Sequence, residues 1–402
     1  MDTIKYLIVG NGITGLSAAE EIRKTDGKGS ILMISMEEMH TYYRVKLSHY
    51  ISKEFDRQSL LVHDAKWYDE RQIDLLLSTA VEEIDFRNRE VKTSKGSIKY
   101  QKLLLSNGSS PFVPPAKGQE LEGVFSLRTI NDLERIQNYF SDIQSVAVVG
   151  GGLLGLEAAW AIHELGKKVH IIEFAPFLMN RQLDEPLARE LETMLVQAGM
   201  TMYLGAGASE ILGDGKVQSI RLTDSRELDA QAILYSCGIR SNIRLFQGTP
   251  LNVERGVVVN SKLETSISEV YAAGDVAQIN GMTLGLWTAG MAQGKVAGAN
   301  MAGEYRPYEL EMPSTLFQIN DWKIFSTGKI SGELETLESV IENGKLKLFF
   351  NKGILQGGVL MNHSQWMPFL KKAVKNEPDC HQWLNEKVTA VEILEQLKEQ
   401  VN

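Results

Sequence analysis

The glycine pattern Gly-x-Gly-x-x-Gly occurs twice in this chain and constrains the fold more than any other feature of the sequence. The first copy reads Gly10-Asn-Gly12-Ile-Thr-Gly15, and the second reads Gly150-Gly-Gly152-Leu-Leu-Gly155. In a strand-to-helix turn, the first glycine permits the tight turn, the second lets the backbone approach a pyrophosphate, and the third lets helix and strand pack closely. The N–H groups and dipole of the helix N-terminus then attract the phosphate. One copy alone is common for packing reasons, whereas two copies in matching surroundings predict two dinucleotide sites.

Both copies stand in the same order of predicted elements. An apolar run predicts a buried strand before each copy, a segment of helical periodicity follows it, and a second apolar run closes the unit. The strand, helix and strand are predicted over residues 4–9, 13–24 and 31–35 in the first unit, and over residues 146–149, 153–165 and 168–172 in the second. A right-handed crossover of this kind places its two strands side by side and parallel. The predicted fold class is therefore α/β, with one Rossmann-like unit used twice.

An acidic residue after the second strand of each unit is a candidate for binding ribose hydroxyls, because such a residue lies about 20 positions after the glycines in this fold. Glu37 is the candidate in the first unit, with Glu38 as the alternative, and Glu173 is the candidate in the second. A carboxylate accepts hydrogen bonds from a free 2′-hydroxyl and repels a 2′-phosphate, which calls for arginine. The second unit is therefore predicted to prefer NADH over NADPH. Lys167 and Lys168 lie nearby in the sequence, and their positive charges would weaken that preference.

Composition excludes several other kinds of protein. The 402 residues carry a formal net charge of -9, whereas general nucleic-acid binders have basic surfaces. Cys237 and Cys380 are the only cysteines, so neither a disulfide framework nor a cysteine-ligated metal site is expected. Residues 1–10 lack the features of a secretory signal, and the longest apolar stretch is too short to span a membrane. We expect a cytoplasmic protein that binds neither membranes nor metal.

Three domains are predicted along the chain. The proline-rich segment 111–115 cannot continue a helix or a central strand, and it marks the first crossing between domains. Strand-like apolar runs return near residue 236, and the composition changes again after residue 306. The predicted limits are 1–111 and 236–305 for a discontinuous first domain, 112–235 for a second domain, and 306–402 for a small α+β domain.

Three further segments resemble the pyridine nucleotide–disulfide oxidoreductases. They are Leu104–Pro111, similar to the family's Ala-Thr-Gly turn, then Gly238–Asn242, and Val270–Asp275, which is highly specific. The resemblance covers nearly the whole chain, and it implies FAD in the first domain and NAD(P)H in the second. It also implies that Asp275 binds the ribityl chain of FAD. The helix after Trp287-Thr288 would direct its N-terminus at the pyrimidine end of the isoalloxazine ring.

The same resemblance implies roles for other residues. Arg44 is similar to an arginine near the FAD pyrophosphate, and Glu157 to a glutamate close to the nicotinamide. Asn107 stands where threonine is usual, and His49 stands where many relatives have a lysine beside the flavin, although we expect His49 to be structural. The full set of cofactor-binding candidates is Gly10, Gly12, Gly15, Glu37, Arg44, Lys46, Val81, Asn107, Gly108, Asp275, Trp287, Thr288, Gly150, Gly152, Gly155, Glu157, Glu173 and Gly238.

Cysteine usage separates the branches of this family. Disulfide reductases carry a Cys-x4-Cys pair, and peroxide-reducing members carry a single cysteine, in the region corresponding to residues 40–51, where this chain has none. Because thiol chemistry needs a thiolate close to the flavin, electrons are expected to leave the flavin directly for an external acceptor. Residues 178–184 resemble the rubredoxin and nitrite reductase members in particular. The leading hypothesis is an NAD(P)H:rubredoxin oxidoreductase acting on rubredoxin or a similar small electron-transfer protein.

Three alternatives stay open from the sequence: an NADH oxidase that reduces oxygen, a reductase component for ferredoxin or nitrite reductase, and a non-catalytic redox-sensing flavoprotein. A monomer is expected rather than a dimer, because no disulfide has to be reached from a partner subunit. Rubredoxins as a family are acidic, so a local basic rim is expected; its candidates are Arg44, Lys46, Lys53, Lys371, Lys372 and Lys375.

Overall fold

The computed structural model describes residues 3–310, 312–342 and 344–401. Its first part begins with the predicted strand–helix–strand unit and continues into further strands. The elements are β1 (Ile4–Val9), α1 (Ile13–Thr25), β2 (Ile31–Ile34), α2 (Ala65–Glu70), β3 (Ile73–Leu76), β4 (Val81–Asp85), β5 (Glu90–Thr93), β6 (Gly96–Leu105) and β7 (Ser109–Pro111). Two 3-10 turns, Arg44–Tyr50 and Arg57–Leu60, lie between β2 and α2.

The second part repeats this order. Its elements are β8 (Val124–Ser126), α3 (Ile130–Phe140), β9 (Ser145–Val149), α4 (Leu153–Glu164), β10 (Lys168–Glu173), α5 (Glu185–Gln197), β11 (Thr201–Leu204), β12 (Ala208–Leu212), β13 (Ser219–Leu222), β14 (Glu227–Asp229) and β15 (Ala232–Tyr235). The predicted strands and helices of both units agree with the structure to within one residue at each end. The element order predicted from the two glycine patterns is confirmed.

The remaining residues return to the first sheet and then form a third one. They comprise β16 (Ile239–Ser241), β17 (Val257–Val259), β18 (Val270–Ala272), β19 (Ala277–Ile279), α6 (Trp287–Met301), β20 (Ser314–Ile319), β21 (Trp322–Gly328), β22 (Glu335–Ile341), β23 (Gly344–Asn351), β24 (Ile354–Met361), α7 (Met367–Asn376), α8 (His381–Asn385) and α9 (Ala390–Val401).

Two parallel sheets with the same strand order form the centre of the molecule. The first has the order β3-β2-β1-β6, with β18 pairing on the far side of β6, and the second has the order β11-β10-β9-β15-β8. An antiparallel three-stranded layer accompanies each, formed by β4-β5-β6 and by β12-β13-β14. The α/β class with two Rossmann-like units is confirmed. The residue limits of the three domains stay a prediction.

Helix α6 lies against α1 at a distance that only glycine allows. A Cβ atom added at Gly294 would lie 2.3 Å from the carbonyl oxygen of Thr14, and one added at Gly298 would lie 2.4 Å from that of Ala18. These glycines are four residues apart and therefore share one face of the helix. The close contact fixes the N-terminal end of α6 beside the first glycine pattern.

The third sheet is antiparallel, in the order β20-β21-β24-β23-β22. Buried side chains of α7 and α9, among them Leu370 and Ile393, pack with it in one apolar core. Lys347 on β23 is almost fully buried, and its ammonium lies 2.6 Å from the carboxylate of Asp184 before α5. Within the described residues, no helix is both long and apolar enough to cross a membrane, and no three His, Cys, Asp or Glu side chains are grouped as a metal site.

Candidate functional site

The first glycine pattern forms a turn in which each glycine has a different structural role. Gly10 has a φ of +117°, and a Cβ there would lie 2.2 Å from the carbonyl oxygen of Ser106, directly after β6. A Cβ at Gly15 would lie 2.2 Å from the carbonyl oxygen of Gly10, whereas one at Gly12 would meet no atom within 4 Å. The first and third glycines are therefore required by packing, and the second faces open space at the N-terminus of α1.

The second pattern has the same geometry. Gly150 has a φ of +122°, and a Cβ there would lie 2.3 Å from the carbonyl oxygen of Ser236. A Cβ at Gly155 would lie 2.0 Å from the carbonyl oxygen of Gly150, and one at Gly152 would again meet nothing within 4 Å. Both turns thus leave an open approach to a helix N-terminus, as a bound pyrophosphate requires.

Matching hydrogen bonds fix which residues correspond after the second strand of each unit. Thr79 and Ser78 donate their backbone N–H groups to the carbonyls of Ser35 and Glu37, at 2.8 and 3.1 Å. Ala206 and Gly205 donate in the same way to Glu173 and Ala175, at 3.1 and 3.0 Å. Ser35 therefore corresponds to Glu173, and Glu37 corresponds to Ala175.

Glu37 lies three residues beyond β2, which ends at Ile34, and its role in binding ribose hydroxyls stays a prediction. The backbone between β2 and Glu37 runs beside Ser78 and Thr79, which donate to the carbonyls of Glu37 and Ser35. The Glu37 carboxylate accepts hydrogen bonds from the Tyr42 hydroxyl at 2.5 Å and from the Arg44 guanidinium at 2.6 Å.

The other two acidic candidates have clear positions. Glu38, the alternative to Glu37, forms an ion pair with Arg57. Glu173 is the last residue of β10, and its carboxylate accepts from the backbone N–H groups of Gly151 at 2.6 Å and Ala175 at 2.7 Å. Glu173 is thus held directly against its glycine pattern, whereas Glu37 is held by the segment that follows β2.

Two guanidinium groups and one carboxylate lie together beside the first pattern. Arg128 donates to the Asp275 carboxylate at 3.1 Å, and the hydroxyl of Ser109 donates to the same oxygen at 2.6 Å. Arg44 donates to the backbone carbonyl of Arg128. Burial alone would lower the pKa of Arg44, but Tyr42 and Glu37 outweigh it and raise that pKa, whereas burial and the neighbouring Arg44 lower the pKa of Arg128. Both remain cations at neutral pH, and each is paired with a carboxylate, Arg44 with Glu37 and Arg128 with Asp275.

The segments after β6 and β15 meet at the same cluster. The side-chain amides of Asn107 and Asn242 each donate to the other's backbone carbonyl at 2.8 Å. The Oδ1 atom of Asn107 is buried and has no hydrogen-bond partner. Gly108, with a φ of +67°, brings the chain past Arg128, whose Nη2 would lie 3.5 Å from an added Cβ. The unpaired oxygen of Asn107 is an acceptor available to a bound group.

Helix α6 begins at Trp287, so Trp287 and Thr288 form its first turn and do not precede it as predicted. The ring of Trp287 stacks with that of Tyr43, with centroids 5.9 Å apart and planes 30° apart. The Lys46 ammonium lies 4.4 Å from the centroid of the Tyr43 ring. The first-turn N–H groups of α6 have no partner inside the helix and can bind an electron-rich group.

Glu157 on α4 is buried and accepts a hydrogen bond from the hydroxyl of Ser48 at 2.9 Å. Burial raises the pKa of Glu157, while the bond from Ser48 and the charge of His49 oppose that rise. His49 itself is exposed. The partner of the buried glutamate is therefore Ser48, which the sequence analysis did not select.

The remaining candidates have simpler surroundings. Val81 is half-buried and opens β4, and Gly238 has a φ of +90°, which favours glycine. Cys237 donates to the carbonyl of Val149, and burial raises the pKa of its thiol to about 11. A thiol of this kind is protonated at neutral pH, in agreement with its interpretation as a packing residue.

Sequence reasoning missed three polar residues that the fold brings to these sites. Arg128 and Ser109 contact Asp275, and Ser48 contacts Glu157. Arg128 directly precedes the Thr129–Asp132 capping box of α3, which was the one available signal. Arg44 does not fit the predicted basic rim, because its guanidinium is mostly buried and paired with Glu37, whereas Lys46, Lys53 and Lys375 are exposed.

Comparison with known proteins gives consistent matches. Residues 4–294 match the pyridine nucleotide-disulphide oxidoreductase family. A nitrite reductase [NAD(P)H] from Bacillus subtilis is 33% identical over 360 residues, which cover 89% of this chain and 45% of that protein. An NADH-rubredoxin oxidoreductase from Clostridium acetobutylicum is 31% identical over 332 residues, which cover 82% of this chain and 83% of that protein. The chain therefore spans less than half of the first relative and most of the second.

Among solved structures, the crystal structure of NADH:rubredoxin oxidoreductase from Clostridium acetobutylicum matches with a TM-score of 0.81 and 27% sequence identity. The match covers 98% of this chain and 100% of that one. The likeness thus includes the third sheet as well as the two parallel sheets.

Proposed function

The chain belongs to the pyridine nucleotide-disulphide oxidoreductase family, and we propose that it oxidises NADH and passes the electrons to a small external carrier of the rubredoxin kind. The family uses FAD and NADH. FAD, when bound, supplies chemistry that no side chain offers, because it accepts a hydride and can release electrons one at a time. The acceptor, the site assignments and the cytoplasmic location are parts of the proposal.

One observation carries the choice of an external acceptor: neither cysteine of the chain fits a thiol relay. Residues 40–51 contain no cysteine. The pKa of Cys237 is raised to about 11, and Cys380 is fully buried in the core of the third sheet. A relay needs a low-pKa thiolate beside the flavin, so electrons would leave from the flavin itself.

The residues beside the first pattern fit FAD. Gly12 offers the open approach to the N-terminus of α1, and the remaining N–H groups of Arg44 and Arg128 would donate hydrogen bonds to the pyrophosphate. Asp275, held by Arg128 and Ser109, would accept from ribityl hydroxyls. The unpaired Oδ1 of Asn107 is a further acceptor for the bound group, and the first turn of α6 would stabilise negative charge on the ring system.

The residues beside the second pattern fit NADH. Gly152 leaves the N-terminus of α4 open, and the Glu173 carboxylate would accept from ribose hydroxyls and repel the 2′-phosphate of NADPH. Glu157, four residues after Leu153 on the same helix and held by Ser48, would border the nicotinamide. In this proposal NADH donates the hydride and FAD accepts it. The protein would contribute the orientation of the two cofactors and the electrostatics around them, and no acid–base pair is needed.

The test is an anaerobic titration of the purified protein with NADH, followed by visible spectroscopy. We expect a flavin spectrum that bleaches with one equivalent of NADH, and NADPH should act at a much higher concentration. Catalytic protein with excess oxidised rubredoxin should then reduce the rubredoxin rapidly, and this rate should fall as salt is raised if charged surfaces steer the encounter. A [2Fe-2S] ferredoxin and dissolved oxygen serve as the comparison acceptors.

Each outcome separates one hypothesis from another. Bleaching with fast reduction of rubredoxin and slow use of oxygen supports the proposal. Bleaching with fast ferredoxin reduction or fast oxygen consumption would keep the enzyme and replace the acceptor. A protein that retains no FAD would refute the proposal entirely. Light scattering on the eluted protein tests the expected monomer.

A further inference from the structure

Residues 178–184, the bridging loop, connect the second glycine pattern to the third sheet. At one end of the loop, Met179 donates its backbone N–H to the carbonyl oxygen of Gly151 at 3.0 Å, and a Cβ added at Gly151 would lie 2.6 Å from Cδ2 of Leu178. At the other end, Asp184 is the N-cap of α5 and forms the ion pair with Lys347 on β23. The loop therefore contacts both the turn that would bind NADH and a separate sheet.

The backbone of the bridging loop is held in one conformation. Leu178, Met179 and Leu183 are buried, and they belong to the same apolar core as Phe349 of β23. The carbonyl of Met179 accepts from the backbone N–H groups of Gln182 at 2.7 Å and Leu183 at 2.9 Å. Met179 has a φ of +48°, a left-handed conformation that a residue with a side chain adopts only at a cost in free energy. Such a conformation persists only where the surroundings impose it, so the contacts at both ends determine the shape of the loop.

Two lysines of β23 join the third sheet to the second parallel unit. Lys345 and Lys347 each lie near Glu338 of the neighbouring strand, at 3.3 and 3.5 Å. Each also has a second acidic partner, which is Glu190 within α5 for Lys345 and Asp184 at the end of the bridging loop for Lys347. The side chain of Lys347 is 8% exposed, whereas that of Lys345 is 27% exposed. A charge as buried as that of Lys347 is costly unless it is paired, and of these two lysines it is Lys347 that pairs with the bridging loop.

We propose that Lys347 is a positioning residue for NADH, because it holds the backbone of Gly151 in the binding conformation through Asp184 and the bridging loop. This inference rests on the proposed function, since it takes NADH as the ligand of the second glycine pattern. A turn that already has its bound conformation before the ligand arrives binds more tightly, because no free energy is used to order it. The third sheet would then support the NADH site from a distance.

The first experiment measures binding of NAD+ to the FAD-loaded protein by calorimetry, at a temperature below the unfolding transition of each variant. Lys347→Met should weaken NAD+ binding by about 2- to 30-fold, the range for substitutions that act through a connected set of residues. Lys345→Met is the matched control, because it removes a cation from the same strand and leaves the pair of Lys347 and Asp184 intact. Its NAD+ affinity should equal that of the wild type, and both variants should retain FAD normally.

Asp184→Asn tests the same path from the other side of the ion pair. Asparagine retains the N-cap of α5 but removes the charge that pairs with Lys347. The loss of NAD+ affinity should be similar to that of Lys347→Met. The double variant should lose no more than the larger single loss, because both substitutions remove one interaction. Single losses that add in the double variant would contradict a common path through the bridging loop.

Hydrogen exchange reads the same link without any nucleotide. The amide of Met179 is bonded to Gly151, and in Lys347→Met it should exchange faster than in the wild type or Lys345→Met by about the same 2- to 30-fold. Unchanged NAD+ affinity in Lys347→Met, an equal loss in Lys345→Met, or unchanged exchange at Met179 would overturn the inference. Failure of the proposed function would appear instead in the wild type, as NADH that leaves the flavin oxidised, while exchange at Met179 would still decide whether Lys347 holds the glycine turn.

Discussion

Alanine at Gly155 and alanine at Gly152 should have opposite consequences, although both glycines belong to one turn. A Cβ at Gly155 would lie 2.0 Å from the backbone carbonyl oxygen of Gly150, so strand and helix must separate by about 1 Å. Overpacking of this kind costs about 3 kcal/mol when the neighbour is rigid backbone. The better helix propensity of alanine offsets about 1 kcal/mol. The expected net loss is about 2 kcal/mol.

Gly152→Ala should leave stability almost unchanged. A Cβ there meets no atom within 4 Å, and Gly152 is the extended N-cap of α4. The N-cap of α4 itself has φ of -85° and ψ of -179°, which alanine adopts freely. The added methyl group would instead occupy the open approach to the helix N-terminus, and NAD+ affinity should fall by tenfold or more, about 1.4 kcal/mol.

The assay pairs thermal unfolding with NAD+ calorimetry on the same preparations. A loss of about 2 kcal/mol lowers the unfolding midpoint by about 4–8 °C in a domain of this size. Gly155→Ala should show that shift, and Gly152→Ala should show lost binding at an unchanged midpoint. The reasoning is refuted if Gly155→Ala melts like the wild type, or if Gly152→Ala binds NAD+ normally.

Three further variants test buried polar groups. His170 is buried with both ring nitrogens unpaired, and burial lowers its pKa. The unfolded chain takes up a proton near pH 6.5 that the folded protein does not, so the free energy of unfolding falls as the pH drops below about 6.5. His170→Val should remove about 1 kcal/mol of that fall between about pH 7 and 5.5 in urea titrations. Ser48→Ala removes a hydrogen bond that lowers the pKa of Glu157, so any pH dependence that this carboxyl gives to flavin reduction should move to higher pH in stopped-flow traces. Lys347→Met leaves Asp184 without its partner at 2.6 Å and should lower the free energy of unfolding by about 1–3 kcal/mol in urea.

The sequence was sufficient for the fold because the two glycine patterns carry both local and long-range information. Gly10 and Gly150 need a positive φ, and Gly15 and Gly155 need close contact with those turns. Each requirement is satisfied only where a strand, a turn and a helix meet. The order of elements then fixes the parallel sheets, since crossovers of this kind are right-handed.

From the residue pattern alone, site candidates could be selected only within the repeated unit; Arg44 and Asp275 were selected through the family resemblance. Glu173 and Glu37 were selected by their distance from the glycines, and the structure places Glu173 at the end of its strand and Glu37 three residues beyond β2. Arg128 and Ser48 reach the sites through packing between distant parts of the chain. Tertiary contacts of this kind leave no periodic pattern, so only the fold reveals them.

Under the proposed assignment of FAD and NADH to the two sites, the same difference explains how one unit, used twice, can bind a resident cofactor and an exchanging substrate. At the first site, Arg44, Arg128 and Asp275 come from three separate segments, and α6 packs on α1 through glycine contacts. At the second site, Glu173 and Glu157 belong to the unit itself, and Ser48 comes from outside it. Affinity differences between related sites lie mainly in dissociation rates. The larger number of residues from outside the repeat would therefore slow the release of FAD, while a site with fewer of them would let NAD+ leave after each turnover.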